Sequence, residues 1–258
     1  MKIKTTISFL IIALCSIQAY SSQLSNSQPT VPPNGVYKFS GMMNNKIPVF
    51  VWFVVKDDAL KGEVTYLKTQ KRTPITIIGR VIKDSVDISE FSKTGNITGF
   101  YHGKFDERLF SGTWNAPGSD KELKFDLSKK DTMVANSNVT LNPVNVTGEY
   151  VYQFTKFGAG GGIDIQQTKP GYYTFRINCV TSSPANNVAD TQAVNVRMVN
   201  NTITYKLPDG DCKFTIRAYS GFIIIDYVNP HVDCGFGMGA DIEGIFLKTS
   251  EKAHIDLM

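Results

Sequence analysis

The sequence predicts an all-β protein made of two small antiparallel β-meander domains in tandem, each barrel-like. Three observations lead there. After residue 34 almost no long segment keeps apolar residues at helical spacing. Short β-branched and aromatic runs recur instead, separated by polar turn residues. Finally, glycine stands one or two places before an aromatic at Gly35/Tyr37, Gly112/Trp114, Gly148/Tyr150 and Gly244/Phe246. Glycine permits the kink or bulge that curls a sheet, and the aromatic ring covers the gap left by the missing side chain.

In the first domain, 35–130, strands are predicted near 35–41, 47–56, 60–68, 74–82, 85–91, 96–105, 108–115 and 121–128. The connections "KDDA", "KDS", "SKTG" and "FDER" are short and polar, so neighbouring strands should pair antiparallel. A linker over 131–147 follows, carried by "TMVANSNVTLNPVNV", which mixes Asn, Ser, Thr and Pro with few large apolar groups. The second domain, 148–249, should place strands near 148–156, 163–167, 171–181, 189–198, 202–207, 212–219, 221–228 and 240–248. Curled meanders of about eight strands close most easily into barrels, which removes exposed edges; a sandwich is the alternative for either unit. Two runs, "IPVFVWFVV" at 47–55 and "GFIIIDYV" at 221–228, are apolar on both faces. Burial against the other domain explains them most simply, and an apolar patch for a partner or lipid is the functional reading.

The chain has 258 residues, 42% hydrophobic and 19% charged, a balance that excludes general disorder. Lys2 and Lys4, the apolar run Ile7 to Leu14 and the small residues around Ala19, Ser21 and Ser22 read as a signal peptide over 1–22. That run is far short of the ~20 residues a helix needs to cross a bilayer, so no transmembrane anchor is expected. Cys15 is a poor lipidation site because Leu14 precedes it. The expected address is periplasmic or secreted. Of the 27 basic residues, Lys2 and Lys4 leave with the signal, so 25 face 23 acidic ones and the net charge falls from +4 to +2. Nothing in that balance suggests a nucleic-acid partner.

Of the 4 cysteines, Cys179, Cys212 and Cys234 remain in a chain bound for an oxidising compartment. Cys212 opens one strand of a hairpin turned at Ser220 and Gly221, and Cys234 lies just beyond the return strand, so a Cys212–Cys234 disulfide is expected. Pairing of Cys179 with either one stays open as the alternative. Gly235, Gly237 and Ala240 in "DCGFGMGADIEGIF" fit the G-x-G-x-x-G/A spacing of a dinucleotide loop. Such a loop must open a helix. Here the continuation reads as a strand with Ala240, Ile242, Gly244 and Phe246 on one face, so the segment is taken as a turn pinned by Cys234, with no cofactor.

No metal site is expected. His231, Asp233 and Asp241, or Asp209 and Asp211 of "PDGD", could be drawn together, but zinc sites need three or four organised ligands and the chain has only His102, His231 and His254. "PDGD" reads instead as a hairpin turn. No catalytic residue is assigned: there is no G-x-S-x-G elbow, and Glu63 with Glu90 as a pair across a barrel mouth is only one of many carboxylate pairings. His102, set on the strand face of Thr98, Phe100 and Lys104, reads as a rim histidine.

The run "GVYKFSG", "PVFVWFVV", "LKGEVTYLK", "PITIIGRV", "VDISEF", "ITGFYHGKF" and "FSGTWNAP" resembles a β-meander domain family of uncharacterised exported bacterial proteins. "YKLPDGDCKFTIRAYSGFIIIDYV" with "DCGFGMGADIEGIFLK" is similar to its companion domain, which ends in a C-G-F-G stretch followed by Gly and an aromatic. The resemblance covers most of the mature chain and implies fold and export rather than activity. It also implies a neighbourhood of lysozyme-inhibitor-like modules. A bacterial origin would make the N-x-[ST] asparagines Asn96, Asn138, Asn145 and Asn200 ordinary loop residues.

The function expected is non-enzymatic binding. A protein or cell-envelope partner would meet the aromatic faces at Trp52 and Trp114, inhibition of a cell-wall hydrolase being one form of this. The alternative is a carrier of a small apolar ligand inside one barrel, and an enzyme ranks third.

Overall fold

The computed structural model describes residues 34–131, 140–155, 158–230 and 232–255. The segment read as a signal peptide, with Cys15, and also Asn138 and His231 lie outside the described residues. Among those described, every regular element is a strand. The first set is β1 (Gly35–Met43), β2 (Ile47–Lys56), β3 (Ala59–Tyr66), β4 (Ile75–Ile82), β5 (Ser85–Phe91), β6 (Ile97–Phe105), β7 (Leu109–Asn115) and β8 (Glu122–Lys129). Each strand pairs antiparallel with the next, and β1 pairs with β8 through Phe39↔Lys129 to Met43↔Phe125, so the meander closes into a barrel.

The second set is β9 (Gly148–Gln153), β10 (Gly160–Lys169), β11 (Tyr172–Val180), β12 (Val188–Arg197), β13 (Thr202–Lys206), β14 (Lys213–Tyr219), β15 (Phe222–Tyr227) and β16 (Gly244–Ser250). It forms one eight-stranded sheet in the order β12-β11-β10-β9-β16-β15-β14-β13, curled so that its ends approach without joining in a ladder. The part of the linker that is described packs onto this sheet. Leu141 is 2% exposed and its carbonyl accepts a bond from the Ser220 amide at 3.0 Å. The Val146 carbonyl accepts from the Tyr150 hydroxyl at 2.7 Å.

Strand alternation fixes which side chains face into the first barrel. At one end Phe39, Phe53, Phe105, Phe110 and Phe125 fill it edge to face, with centroids 5.0 Å apart for Phe53–Phe105 and 4.7 Å for Phe110–Phe125. This aromatic plug is a packed core. The outward row carries the charged or ionisable side chains of Glu63, Asp87, His102, Lys104, Lys124 and Asp126.

The two-sided strand at 221–228 is explained by the seam between the units. Ile223 and Ile225 face into the second sheet while Phe222 and Ile224 face out, and all four are buried. Arg80 of β4 pairs with Asp226 of β15 and donates to the Ile225 carbonyl at 3.2 Å. Arg217 bridges Asp226 at 2.8 Å and Asp58 of the β2–β3 turn. Lys61 donates to the Ser220 carbonyl at 2.6 Å.

Three local expectations need correction. The register shift between Glu90 and Phe91 is a β-bulge that pairs Glu90 with Gly99 and leaves Thr98 as the extra residue, its hydroxyl turned to Glu90 and off the face of Phe100, His102 and Lys104. Residues 240–243 are not strand, although Ile242 is fully buried. Trp114 covers Gly99 on β6 rather than Gly112 of its own strand, since a Cβ on Gly99 would lie 2.3 Å from the Trp114 indole nitrogen.

The Cys212–Cys234 disulfide is present and Cys179 is a buried free thiol whose pKa burial pushes up to about 12. The glycine-rich segment is a turn, with Gly235 and Gly239 at φ of 71° and the Gly237 amide bonded to the Val188 carbonyl at 2.9 Å. Replacing Cys212 and Cys234 together by serine is expected to lower stability by about 3 kcal/mol, from the loop the bridge closes. Urea unfolding of wild type and variant measures this; equal midpoints would contradict it.

Candidate functional site

The open end of the first barrel lies beyond the phenylalanine plug. Met43, Ile47, Tyr66, Ile75, Trp114 and Leu123 are drawn from strand ends that all reach this rim, and they line a cavity of about 350 Å³ with Glu90, Ser92 and Thr98. Ile47, Tyr66, Ile75, Trp114 and Leu123 are each partly exposed, so the cavity opens to solvent. The wall is almost wholly apolar. Polar atoms gather on one side of it.

Glu90 is the centre of that polar group. It follows Val86 and Ile88 at the two-residue period of β5, and so points inward and is 2% exposed. Its Oε1 accepts from the Tyr101 hydroxyl at 2.8 Å and from the Tyr66 hydroxyl, and its Oε2 accepts from Thr98 Oγ1 at 3.2 Å. Tyr101 joins the two halves of the barrel, because its ring meets the plug at Phe125, centroids 5.4 Å apart. Burial raises the Glu90 carboxyl above the ordinary glutamate range, against the opposing pull of these donors. Burial, followed by the neighbouring carboxylate, also raises both tyrosines.

Trp114 completes the group. Its indole N–H faces Glu90 closely enough to favour the carboxylate, yet forms no hydrogen bond of normal geometry. Among the described residues Nε1 is the one buried side-chain polar atom without a hydrogen-bond partner. Such an atom is costly to leave unmade.

The two tryptophans therefore have different surroundings. Trp114 lines the mouth. Trp52 faces outward from β2 but is only 4% exposed, packs in a separate cluster with Phe50, Val54 and Leu67, and donates to Glu63 Oε2 at 3.1 Å. Glu63 and Glu90 lie on opposite faces of the barrel wall and share no site. His102 is on the outer surface with Asp87 at 2.7 Å. Among the described residues no three His, Cys, Asp or Glu side chains gather as metal ligands.

A second cavity, of about 310 Å³, lies in the seam between the units, against Phe100, Tyr152, Phe154 and Ile245, with Asp241 and Glu243 beside it. Burial raises both carboxyls, but Glu243 has Arg80 at 3.6 Å and no buried polar atom there lacks a partner. The barrel mouth is the stronger site on that ground.

Residue type alone gave no reason to single out Glu90. Its signal was positional: the apolar alternation Val86, Ile88 continues onto it while Phe91 falls on the other face. No protein-family model, curated protein or solved structure matches the chain.

Glu90 binds its proton more tightly in the fold than in the unfolded chain, because its folded pKa is raised. Its favourable contribution is therefore present below the ordinary value of 4.5 and is lost as pH climbs from there through the raised folded value. Glu90→Gln removes this dependence while keeping an acceptor for both tyrosines. Urea unfolding from about pH 4 to about pH 8 should show the variant gaining on wild type as pH rises. Parallel curves would show that Glu90 titrates normally.

Proposed function

We propose that the first barrel is a binding module for a small, mostly apolar molecule that enters at the rim between 44–46, 67–74, 92–96 and 116–121. The observation that carries this reading is the division of the interior. Five phenylalanines pack one end solid, whereas the other is a solvent-open apolar cavity of about 350 Å³ holding a buried carboxylate and an unpartnered indole N–H. Apolar walls with a few convergent polar groups are the usual make-up of a ligand pocket, and a barrel of eight strands is wide enough to hold one small ligand.

Non-enzymatic binding fits the chemistry available. The one carboxylate of the cavity is engaged by three hydroxyl donors, and no histidine, thiol or second carboxylate is among the lining residues, which supports a binding role. The partner-surface alternative loses its outer anchor, since a hot-spot residue has to be reachable and Trp52 is not.

Export is the setting that suits this module. The Cys212–Cys234 disulfide is compatible with it, and among the described residues no helix is long and apolar enough to cross a membrane. A soluble binding protein of the bacterial envelope is the reading that results.

Native mass spectrometry of the chain purified gently from a periplasm should show an additional mass of a few hundred daltons that is lost on denaturation. Ile47→Trp, which fills the mouth, should remove that mass or weaken its retention at least about tenfold while the fold persists. Retention of the same mass by Ile47→Trp would place the ligand elsewhere.

A further inference from the structure

We infer that the ligand of the first barrel presents to Glu90 and Trp114 an uncharged head that both donates and accepts hydrogen bonds, a primary carboxamide. This rests on the reading of the mouth as a ligand site and adds the chemical class of its occupant.

The inference comes from what the two polar groups lack. Glu90 Oε2 receives one bond, from Thr98 at 3.2 Å, and so retains room for a donor. Trp114 Nε1 is donor only and buried, and although it faces Glu90 it makes no hydrogen bond of normal geometry, so an acceptor placed in the cavity can take it. The indole is held in place against the backbone of Gly99, where any Cβ would be 2.3 Å from Nε1. The site is thus a fixed donor beside a fixed acceptor, both in an apolar wall.

Three head groups can be weighed against that pair. An alkylammonium would suit Glu90 but has no lone pair for the indole N–H, and would leave that donor buried and unmade. A carboxylate would accept from Trp114 but lie beside Glu90 with a like charge in a poorly solvated pocket. A carboxamide places its carbonyl on the indole N–H and its N–H on Oε2, and brings no charge to be desolvated. The apolar wall formed by Met43, Ile47, Ile75 and Leu123 then takes the body of the molecule.

The test uses three probes with one body: 4-butylbenzamide, 4-butylbenzylamine and 4-butylbenzoate. They are titrated into the full chain, labelled with nitrogen-15 at tryptophan and free of bound mass by native mass spectrometry. The Trp114 indole resonance, assigned by its absence from Trp114→Phe, reports occupancy. The benzamide should shift that resonance and bind about tenfold more tightly than either charged probe, the worth of one hydrogen bond gained or left unmade. Trp114→Phe keeps an aromatic ring at the position but removes the N–H. In it the benzamide should weaken by about tenfold while the amine is unchanged, both followed by ligand-observed NMR.

A preference for the amine or the benzoate, or an amide preference that survives Trp114→Phe, would overturn the head-group inference and leave the mouth as a binding site. If no probe shifts the Trp114 resonance, both the inference and the reading beneath it fall.

Discussion

Pairing of β1 with β8 is the constraint on which the first unit depends. To return to its own first strand, an antiparallel meander of eight strands must bend sharply, and bends bring backbones close. The crowding is plain at Gly62 and Gly112: a Cβ on the first would lie 1.8 Å from the Trp52 carbonyl oxygen, and one on the second 2.0 Å from that of His102. Closure also fixes a volume that inward side chains must fill. At the plugged end phenylalanines from five different strands do so; at the rim Tyr66 and Trp114 stand among Met43, Ile47, Ile75 and Leu123, and a cavity of about 350 Å³ remains between them. The cavity lies where the phenylalanine packing ends.

The second unit depends on the first in a different way. Its β15 is apolar on both faces, which is stable only if something covers the outer one. Arg80 and Arg217, partly buried, share Asp226 and tie the covered face at its margin, where an unpaired charge would be costly. The same seam reaches the candidate site. Gly95, at φ of 82°, lets the 92–96 turn lie against Val151 of β9, and its carbonyl accepts from the Gln153 amide at 3.1 Å. Ser92 and Thr98 line the mouth just beside that turn, so the second unit braces one side of the candidate site.

Much of this fold was legible because strand existence depends on local pattern. All sixteen runs read from the sequence correspond to strands, and the turn at Ser220 and Gly221 placed Cys212 and Cys234 together. The two-sided run at 221–228 signalled a buried seam for the same reason. The site was much less legible, because it depends on register, and register is set by partners far away in the sequence. Thr98 reaches Glu90 only through a bulge, which adds a residue without any mark in composition. Trp52 and Trp114 are equivalent as letters, and only the inward or outward turn of their strands separates a wall residue bonded to Glu63 from the donor at the mouth.

Glu90 is the residue whose presence a purely structural account explains least. Its neighbours on the inner face of β5 are Val86 and Ile88, and an aliphatic residue there would extend the apolar wall without desolvating a carboxyl. With Glu90 in place the fold must also provide Tyr66, Tyr101 and Thr98 as donors, all three from other strands or a bulge. Even so, burial outweighs them and holds the carboxyl above its ordinary range. A group that is expensive, well supported and still incompletely satisfied is what preorganisation for a ligand requires, because the bonds left unmade in the free protein are those a ligand can complete. Trp114 shows the same economy from the donor side. That both stand at the one end of the barrel left open, and neither within the phenylalanine plug, connects the cost to the opening rather than to the fold.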